Sequence, residues 1–200
     1  ILVTGSLGQI GSELVRELRN KYGRDNVIAT DIRKPSEEFR AEGPFHFLNI
    51  EDEVTLERLV VEKDITWMVH LGALLSATGE KNLDRALKVL IRGSEAVLQV
   101  CERQKVRVFA PSSIAAFGPQ TPLDPTPDLT IQRPRTIYGV GKGYLELLGE
   151  YLHYSRGLDF RSLRFPGILS YKTPPGGGTT DYAIEMDHEA ISKGSYDSFV

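Results

Sequence analysis

The chain has very little cysteine, with Cys101 as the single such residue in 200. One thiol excludes a disulfide within the chain, and its place in the apolar pattern AVLQVCERQ indicates a core residue rather than a nucleophile. The histidines are scattered and form no cluster with cysteine at metal-ligand spacing; they are His46, His70, His153 and His188. We therefore expect no metal site.

Long apolar runs and a strong charge bias are also missing. No stretch reaches the length of a membrane-spanning helix, and no signal-peptide pattern opens the chain. The net charge of −3 gives no reason to expect nucleic acid or an anionic membrane as a partner. Because the chain starts inside a strand-like run, any targeting segment would precede Ile1 and is not visible. For a microbial source we expect a cytoplasmic protein.

The opening segment ILVTGSLGQIGSELV has the pattern of a strand, a tight turn and a helix. Gly5, Gly8 and Gly11 have the spacing of a dinucleotide-binding turn, in which glycines make the turn and let the backbone approach a pyrophosphate. Asp31 follows the next strand, where a carboxylate can accept a hydrogen bond from the adenosine ribose and would repel a 2′-phosphate. This favours NAD over NADP, although Arg33 lies close enough to bind a phosphate instead.

Strand-like and helix-like periodicities alternate along the rest of the chain. GPFHFLNI, TWMVHLGAL, VRVFAPSS and LDFRSLRFP are typical of strands, and helical patterns separate most of them. This alternation predicts a Rossmann-type, doubly wound parallel α/β sheet with helices on both faces. We predict an NAD-binding domain over residues 1–165. Residues 166–200 would begin a small substrate-binding or lid region that is truncated here.

Tyr138 and Lys142 lie four residues apart in RTIYGVGKGYLELLGEYL, which has helical periodicity. This spacing places both side chains on one face of the helix. A neighbouring ammonium lowers the pKa of a phenol, so the pair can act as a general base on an alcohol. Such pairs are common on solvated helix faces, and the glycine-rich turn is what favours a catalytic interpretation here.

Several predicted strands end in residues suited to binding. The residues at such ends are the glycine turn, Asp31, Asn49, the segment from His70 to Ala73, and the pair Ser112–Ser113. Ligands of open parallel sheets bind outside the carboxyl ends of the strands. We therefore expect these residues to surround one cleft.

The motifs TGSLGQIG, DIR, HLGA, PSSIAAFG, YGVGK and RFPG together resemble the extended short-chain dehydrogenase/reductase family, over almost the whole chain. GALLSATGE, PDLTIQRPRTIYGVGK and PGGGTTDYA resemble the branch of this family that oxidises the β-hydroxyl of L-threonine with NAD. The resemblance implies that Tyr138 is the proton acceptor, that Lys142 lowers its pKa and holds the nicotinamide ribose, and that Ser113 binds the reacting hydroxyl.

The resemblance also implies binding residues. The implied cofactor contacts are Gly5, Gly8, Gln9, Ile10, Gly11, Asp31, Ile32, Arg33, Asn49, Ile50, Leu71, Ala73, Tyr138, Lys142 and Ile168. The implied substrate contacts are Ser76, Ser112, Ser113, Tyr138, Thr179, Thr180 and Asp181. A homodimer is also implied, because the family commonly pairs through two long helices.

Two observations leave alternatives open. Leu90 stands where the family usually has an asparagine, which affects the expected proton relay or the matching of that helix. A nucleotide-sugar epimerase or dehydratase would share the fold, the tyrosine, the lysine and the cofactor. A non-catalytic NAD-binding module of the same fold is the third possibility, although the tyrosine and lysine that such a module would lose are both present.

Overall fold

Strands and helices alternate along the protein in a computed structural model, which describes residues 1–169 and 182–197. The strands are β1 (Leu2–Thr4), β2 (Ile28–Asp31), β3 (Phe45–Phe47), β4 (Trp67–His70), β5 (Arg107–Phe109), β6 (Ser112–Ser113), β7 (Phe160–Arg161) and β8 (Arg164–Phe165). The α-helices are α1 (Gln9–Tyr22), α2 (Glu37–Ala41), α3 (Glu53–Glu62), α4 (Ser76–Lys81), α5 (Leu83–Ala86), α6 (Ser94–Arg103), α7 (Ile137–Arg156) and α8 (Tyr182–Lys193).

A parallel sheet of six strands, in the order β3–β2–β1–β4–β5–β7, lies at the centre. β1 pairs with β2 on one side and β4 on the other, so that Thr4 stands between Thr30 and His70. From β1 the chain adds β2 and β3 on one side, and from β4 it adds β5 and β7 on the other side. This confirms the predicted doubly wound sheet and places a crevice at the carboxyl ends of β1 and β4.

Side chains of the sheet enter two apolar layers. Leu2 and Met68 belong to one layer, whereas Val3 and Val69 belong to the other. Consecutive strand residues point to opposite faces, which explains this division. Helices α3, α6 and α7 contribute to the first layer, and α1 and α2 to the second. Both faces of the sheet are therefore covered.

Two segments that the sequence predicts as single strands are each divided. VRVFAPSS forms β5 and then β6, with Pro111 between them, and proline lacks the N–H that a continuous ladder needs. LDFRSLRFP forms β7 and β8, and β8 pairs with β6 in a separate two-stranded sheet. The amide of Ser112 donates to the carbonyl of Leu163 at 2.9 Å. The break turns β6 away from the main sheet.

The long helical pattern predicted from Asn82 to Gln104 is also interrupted. A π-helical stretch, Leu87–Gly93, separates α5 from α6. Leu90 lies within it and is buried against α7, where a Cβ added to Gly141 would stand 2.6 Å from the Leu90 Cβ. Within the parts of the chain that the structure describes, none of the helices combines the length and apolar character needed to cross a bilayer.

Candidate active site

The glycine turn packs tightly against the end of β4. Gly5 has φ +65°, a left-handed conformation that side chains disfavour, and a Cβ there would lie 2.7 Å from the Gly72 nitrogen. A Cβ on Gly11 would meet the Gly5 carbonyl oxygen at 2.4 Å. Gly8 is the N-cap of α1. Glycine has no side chain, so no side-chain hydrogen bond caps the first amides of the helix. The close packing of the turn and the uncapped start of α1 are the features that a pyrophosphate site requires.

Asp31 ends β2, and its carboxylate is 5% exposed. It accepts a hydrogen bond from the Leu7 amide at 3.0 Å, within the glycine turn, and one from the Arg33 amide at 3.0 Å. The Arg33 guanidinium pairs with the same carboxylate at 3.2 Å. Asp31 therefore joins the turn to the loop after β2.

A cavity of about 360 Å³ lies beside this loop. Its lining residues are Leu7, Ser12, Arg16, Arg33, Lys34, Pro35, Ser36 and Phe39. Three of these side chains are cationic and would attract a phosphate, whereas the Asp31 carboxylate would repel it. The predicted preference for NAD over NADP therefore depends on the charge of Asp31.

Other predicted cofactor residues stand around the same edge. Leu71 donates its amide to the Thr4 carbonyl at 3.1 Å, and Ala73 is exposed just beyond it. The Gln9 side chain donates to the Ile168 carbonyl at 2.8 Å, which joins the start of α1 to the segment after β8. Gln9 and Ile168, far apart in sequence, are thus brought together as the predicted single cleft requires.

Asn49, Ile50, Ile32 and Ile10, also predicted to contact the cofactor, differ in their exposure. Asn49 is exposed, but its side chain accepts from the Glu51 amide at 3.2 Å. Ile50 is buried in the core, and a Cβ on Gly93 would lie 2.8 Å from its Cδ1. Ile50 therefore packs between elements, whereas Ile32 is 59% exposed at the end of β2. Ile10 lies half-buried in the first turn of α1.

Helix α7 carries Tyr138 and Lys142 in its first two turns. Thr136 caps the helix by accepting from the Gly139 amide at 3.1 Å, and the helix ends where Gly157 adopts φ 74°. The Lys142 Nζ lies 5.6 Å from the centroid of the Tyr138 ring and donates to the Pro111 carbonyl at 2.7 Å. Lys142 is 8% exposed, so its ammonium lies inside the protein.

Ser112 and Ser113 present their hydroxyls to different partners. The Ser113 hydroxyl accepts from the Ala115 amide at 3.2 Å and lies near enough to the Tyr138 phenol to lower its pKa. The Ser112 hydroxyl donates to the Glu146 carboxylate in a short hydrogen bond. Alternation along β6 accounts for this division. Ser113 is thereby placed beside Tyr138, and Ser112 is not.

The pKa of Tyr138 differs from the direction that the sequence predicts. Burial raises it, and the hydrogen bond from Ser113 acts in the opposite direction. Burial also lowers the pKa of Lys142 to about 8, with the Glu146 charge opposing that shift. In this structure Lys142 is held by the Pro111 carbonyl, and desolvation of the phenol outweighs the effect expected of the ammonium.

Four of the predicted substrate contacts, Ser76, Thr179, Thr180 and Asp181, remain to be located. Ser76 begins α4 and is half-buried. Thr179, Thr180 and Asp181 lie outside the described residues. In residues 1–169 and 182–197, no group of three or more histidine, cysteine or acidic side chains could hold a metal ion.

The sequence analysis missed a set of polar residues behind Ser112. Glu146, Gln132 and Arg164 are joined there by hydrogen bonds and an ion pair. A signal was available, because Glu146 follows Lys142 by one helical turn in YGVGKGYLE and so had to share its face.

These observations fit a dinucleotide at the carboxyl ends of β1 and β4. A Cβ would fill the cradle at Gly5 and Gly11, the start of α1 faces the turn, and Asp31 stands at the end of the neighbouring strand. Comparison with known families agrees, because the model of the "NAD dependent epimerase/dehydratase family" matches residues 1–188. The chain belongs to that family. NAD is accordingly its cofactor.

Relatives within the epimerase/dehydratase family narrow the comparison. The mitochondrial L-threonine 3-dehydrogenase of Bos taurus is 53% identical over 98% of this chain and 53% of its own length. The crystal structure of L-threonine dehydrogenase from Phytophthora infestans is 47% identical, with a TM-score of 0.94 over 100% of this chain and 64% of that one. A monomeric L-threonine 3-dehydrogenase from a metagenome is 43% identical, with a TM-score of 0.95 over 100% of this chain and 64% of that one. The chain spans about half the length of the curated relatives that it matches.

Proposed function

We propose that the protein oxidises the β-hydroxyl of L-threonine to give 2-amino-3-oxobutanoate. The observation that carries the proposal is the placement of Tyr138, with the Lys142 ammonium 5.6 Å from its ring centroid and the Ser113 hydroxyl near its phenol, at the same edge as the glycine turn. Two relatives that cover nearly all of this chain are named L-threonine 3-dehydrogenase, which supports threonine as the substrate.

The residues of the chain have separate tasks in this reaction. The Ser113 hydroxyl holds the reacting hydroxyl of the substrate, and the Tyr138 phenol removes its proton. Lys142 supplies a positive charge near the phenol and a donor for the nicotinamide ribose. The first amides of α1 hold the pyrophosphate, and Asp31 accepts from the adenosine ribose. Bound NAD supplies the hydride acceptor and a positive charge that favours the phenolate.

The substrate is positioned, in this proposal, by residues of two segments. Ser76 lies at the start of α4, which contacts the catalytic helix: the Glu80 carboxylate accepts from the Ile137 amide at 2.7 Å. Thr179, Thr180 and Asp181 would bind the amino acid's charged groups from the region 166–200, which we propose to be the start of a substrate-binding domain. A ligand without those charged groups would leave polar side chains unpaired.

A nucleotide-sugar epimerase or dehydratase is the second candidate, because the family includes both activities by its description. It would use the same tyrosine, lysine and cofactor, with a larger pocket and basic groups for a diphosphate. A non-catalytic NAD-binding module is a third candidate. The presence of Tyr138, Lys142 and Ser113 in one part of the structure favours an enzyme over such a module.

We further propose that α7 pairs with a second copy of the chain. An apolar stripe runs along its outer face at helical spacing; its members are Val140, Tyr144, Leu147, Tyr151 and Tyr154. Leu147 is 63% exposed and Tyr154 is 79% exposed. A dimer in light scattering that becomes monomeric in Leu147→Glu supports the proposal. A monomer at every concentration tested would contradict it.

A substrate panel tests the proposed reaction. The protein is incubated with NAD and either L-threonine or UDP-glucose, while NADH absorbance and the sugar products are followed; NAD affinity is measured separately by calorimetry. NADH formation with threonine alone is the expected result. Conversion of the UDP-sugar without NADH accumulation would favour an epimerase, and NAD binding without either reaction would favour the module.

A further inference from the structure

One carboxylate, that of Glu146, connects four elements behind the Tyr138–Lys142 pair. It accepts from the Ser112 hydroxyl on β6, from Gln132 Nε2 at 2.7 Å and from Arg164 Nη2 on β8 at 2.7 Å. Its side chain is 14% exposed, compared with 25% for Arg164. The carboxylate itself belongs to α7. It therefore joins the catalytic helix to two strands and to the segment before the helix.

The segment before α7, residues 118–134, has no helix or strand of its own. Gln132 attaches its end to Glu146, and Arg164 Nη1 donates to the Asp128 carbonyl at 2.8 Å. The Arg164 guanidinium also lies 5.0 Å from the centroid of the Phe117 ring. Removing the Glu146 charge would leave Arg164 without its carboxylate partner and free the end of the segment.

Glu146 is also a charged neighbour of Lys142, one turn away on α7. The charged or titratable groups that face Lys142 are Tyr138 and Glu146 on the same helix and His70 on β4. His70 is buried, and its Nδ1 hydrogen-bonds with the Thr4 hydroxyl at 2.8 Å. Burial alone would raise the pKa of Glu146, but the hydrogen bonds from Arg164, Ser112 and Gln132 lower it, so the carboxylate is charged at neutral pH.

We propose that Glu146 is a positioning residue for the active site. Together with Arg164 it fixes the segment 118–134 to the helix that carries Tyr138 and Lys142, and it places a negative charge one helical turn from the Lys142 ammonium. Its importance for catalysis rests on the proposed function, whereas its two structural effects do not.

The test compares Glu146→Gln with Glu150→Gln, which removes the same charge from an exposed position one turn further along α7. Protein labelled with ¹³C at lysine Cε is titrated by NMR, with the Lys142 signal assigned from Lys142→Met. In Glu146→Gln the Lys142 pKa should fall below its value of about 8, because an opposite charge that favours the ammonium is lost. In Glu150→Gln it should remain at the parent value.

Limited proteolysis measures the second effect. Arg135 is exposed at the end of the segment, next to the cap of α7, and is a trypsin site. Cleavage there should be roughly tenfold faster in Glu146→Gln than in Glu150→Gln, which corresponds to about 1.4 kcal/mol of local stability. Gln132→Ala should also speed cleavage while leaving the Lys142 titration unchanged, because the carboxylate remains.

Glu146→Asp retains the charge and should restore the Lys142 titration, which a purely space-filling role would not do. If Glu146→Gln fails to fold, Gln132→Ala and Glu146→Asp carry the test through the same two measurements. Unchanged cleavage in Gln132→Ala, or Glu146→Gln behaving as Glu150→Gln does in both measurements, would overturn the proposal. If the parent does not oxidise threonine while Glu146→Gln still changes the Lys142 titration and the cleavage rate, only the proposed function is overturned. If the parent does not oxidise threonine and neither measurement changes in Glu146→Gln, both proposals are overturned.

Discussion

Two glycines on α7, two residues apart, should respond to alanine with opposite signs. A Cβ on Gly143 would meet nothing within 4 Å. A Cβ on Gly141 would lie 2.6 Å from the Leu90 Cβ and 3.2 Å from its Cδ1. The Leu90 Cβ is fixed to its backbone and cannot move aside by changing rotamer. Relief of the contact would therefore require α7 and the π-helical stretch to separate.

The magnitudes follow from helix propensity and overpacking. Alanine in place of glycine in a helix interior stabilises by about 1 kcal/mol. That gain stands alone in Gly143→Ala. In Gly141→Ala it is opposed by about 1–3 kcal/mol of overpacking. We therefore expect Gly143→Ala to be the more stable variant by about 1–3 kcal/mol, with each kcal/mol moving Tm by about 2–4 °C in a chain of this size.

Urea unfolding and thermal unfolding, both followed by circular dichroism, measure this difference. The expected order is Gly143→Ala above the parent and Gly141→Ala at or below it. If Gly141→Ala proved as stable as Gly143→Ala, the close approach of α7 to Leu90 would be wrong.

Three further predictions concern cofactor choice, pH and packing. Asp31→Ser should narrow the preference for NAD over NADP, because repulsion is removed while Arg33 remains; equal kcat/KM for both cofactors in the parent would refute the role of the charge. Burial lowers the pKa of His70 to about 3, so its contribution to stability is present above its ordinary pKa of 6.5 and is lost as pH falls toward 3; urea unfolding across that window should show a smaller loss in His70→Asn, and an equal loss would contradict the burial argument. Gly149→Ala should be less stable than Gly143→Ala by about 1–3 kcal/mol, because its Cβ would lie 2.4 Å from the Phe160 ring, and this difference should shrink in a Phe160→Ala background; an unchanged difference there would assign it to another contact.

Sequence alone predicts the features that depend on local pattern. The glycine spacing, the acid after β2 and the Tyr138 helix, ending at Gly157, are found where they were expected. Each depends on neighbours within a few residues or on the alternation of strands and helices. The parallel order of the sheet follows from that alternation, because crossovers through helices leave few arrangements.

Features that depend on contacts between distant segments were not predictable in the same way. The attachment of Ser112 to α7 depends on the carboxylate of Glu146, which lies 34 residues further along the chain. The Tyr138 pKa is raised because the effect of burial exceeds the opposite effect of neighbouring groups. Residue spacing in the sequence carries no information on how far a side chain is buried. Leu90 could be noted as unusual, but its contact with Gly141 appears only when α7 is in place.

Replacement of Tyr138 by phenylalanine tests the central claim most directly, because it removes the ionisable hydroxyl and keeps the ring. Tyr22→Phe, at an exposed position at the end of α1, is the matched control. Threonine-dependent NADH formation should fall by about 10²–10⁴ in Tyr138→Phe, with NAD affinity retained and the control unaffected. Turnover of threonine by Tyr138→Phe at the rate of the control would contradict the assignment of Tyr138 as the base.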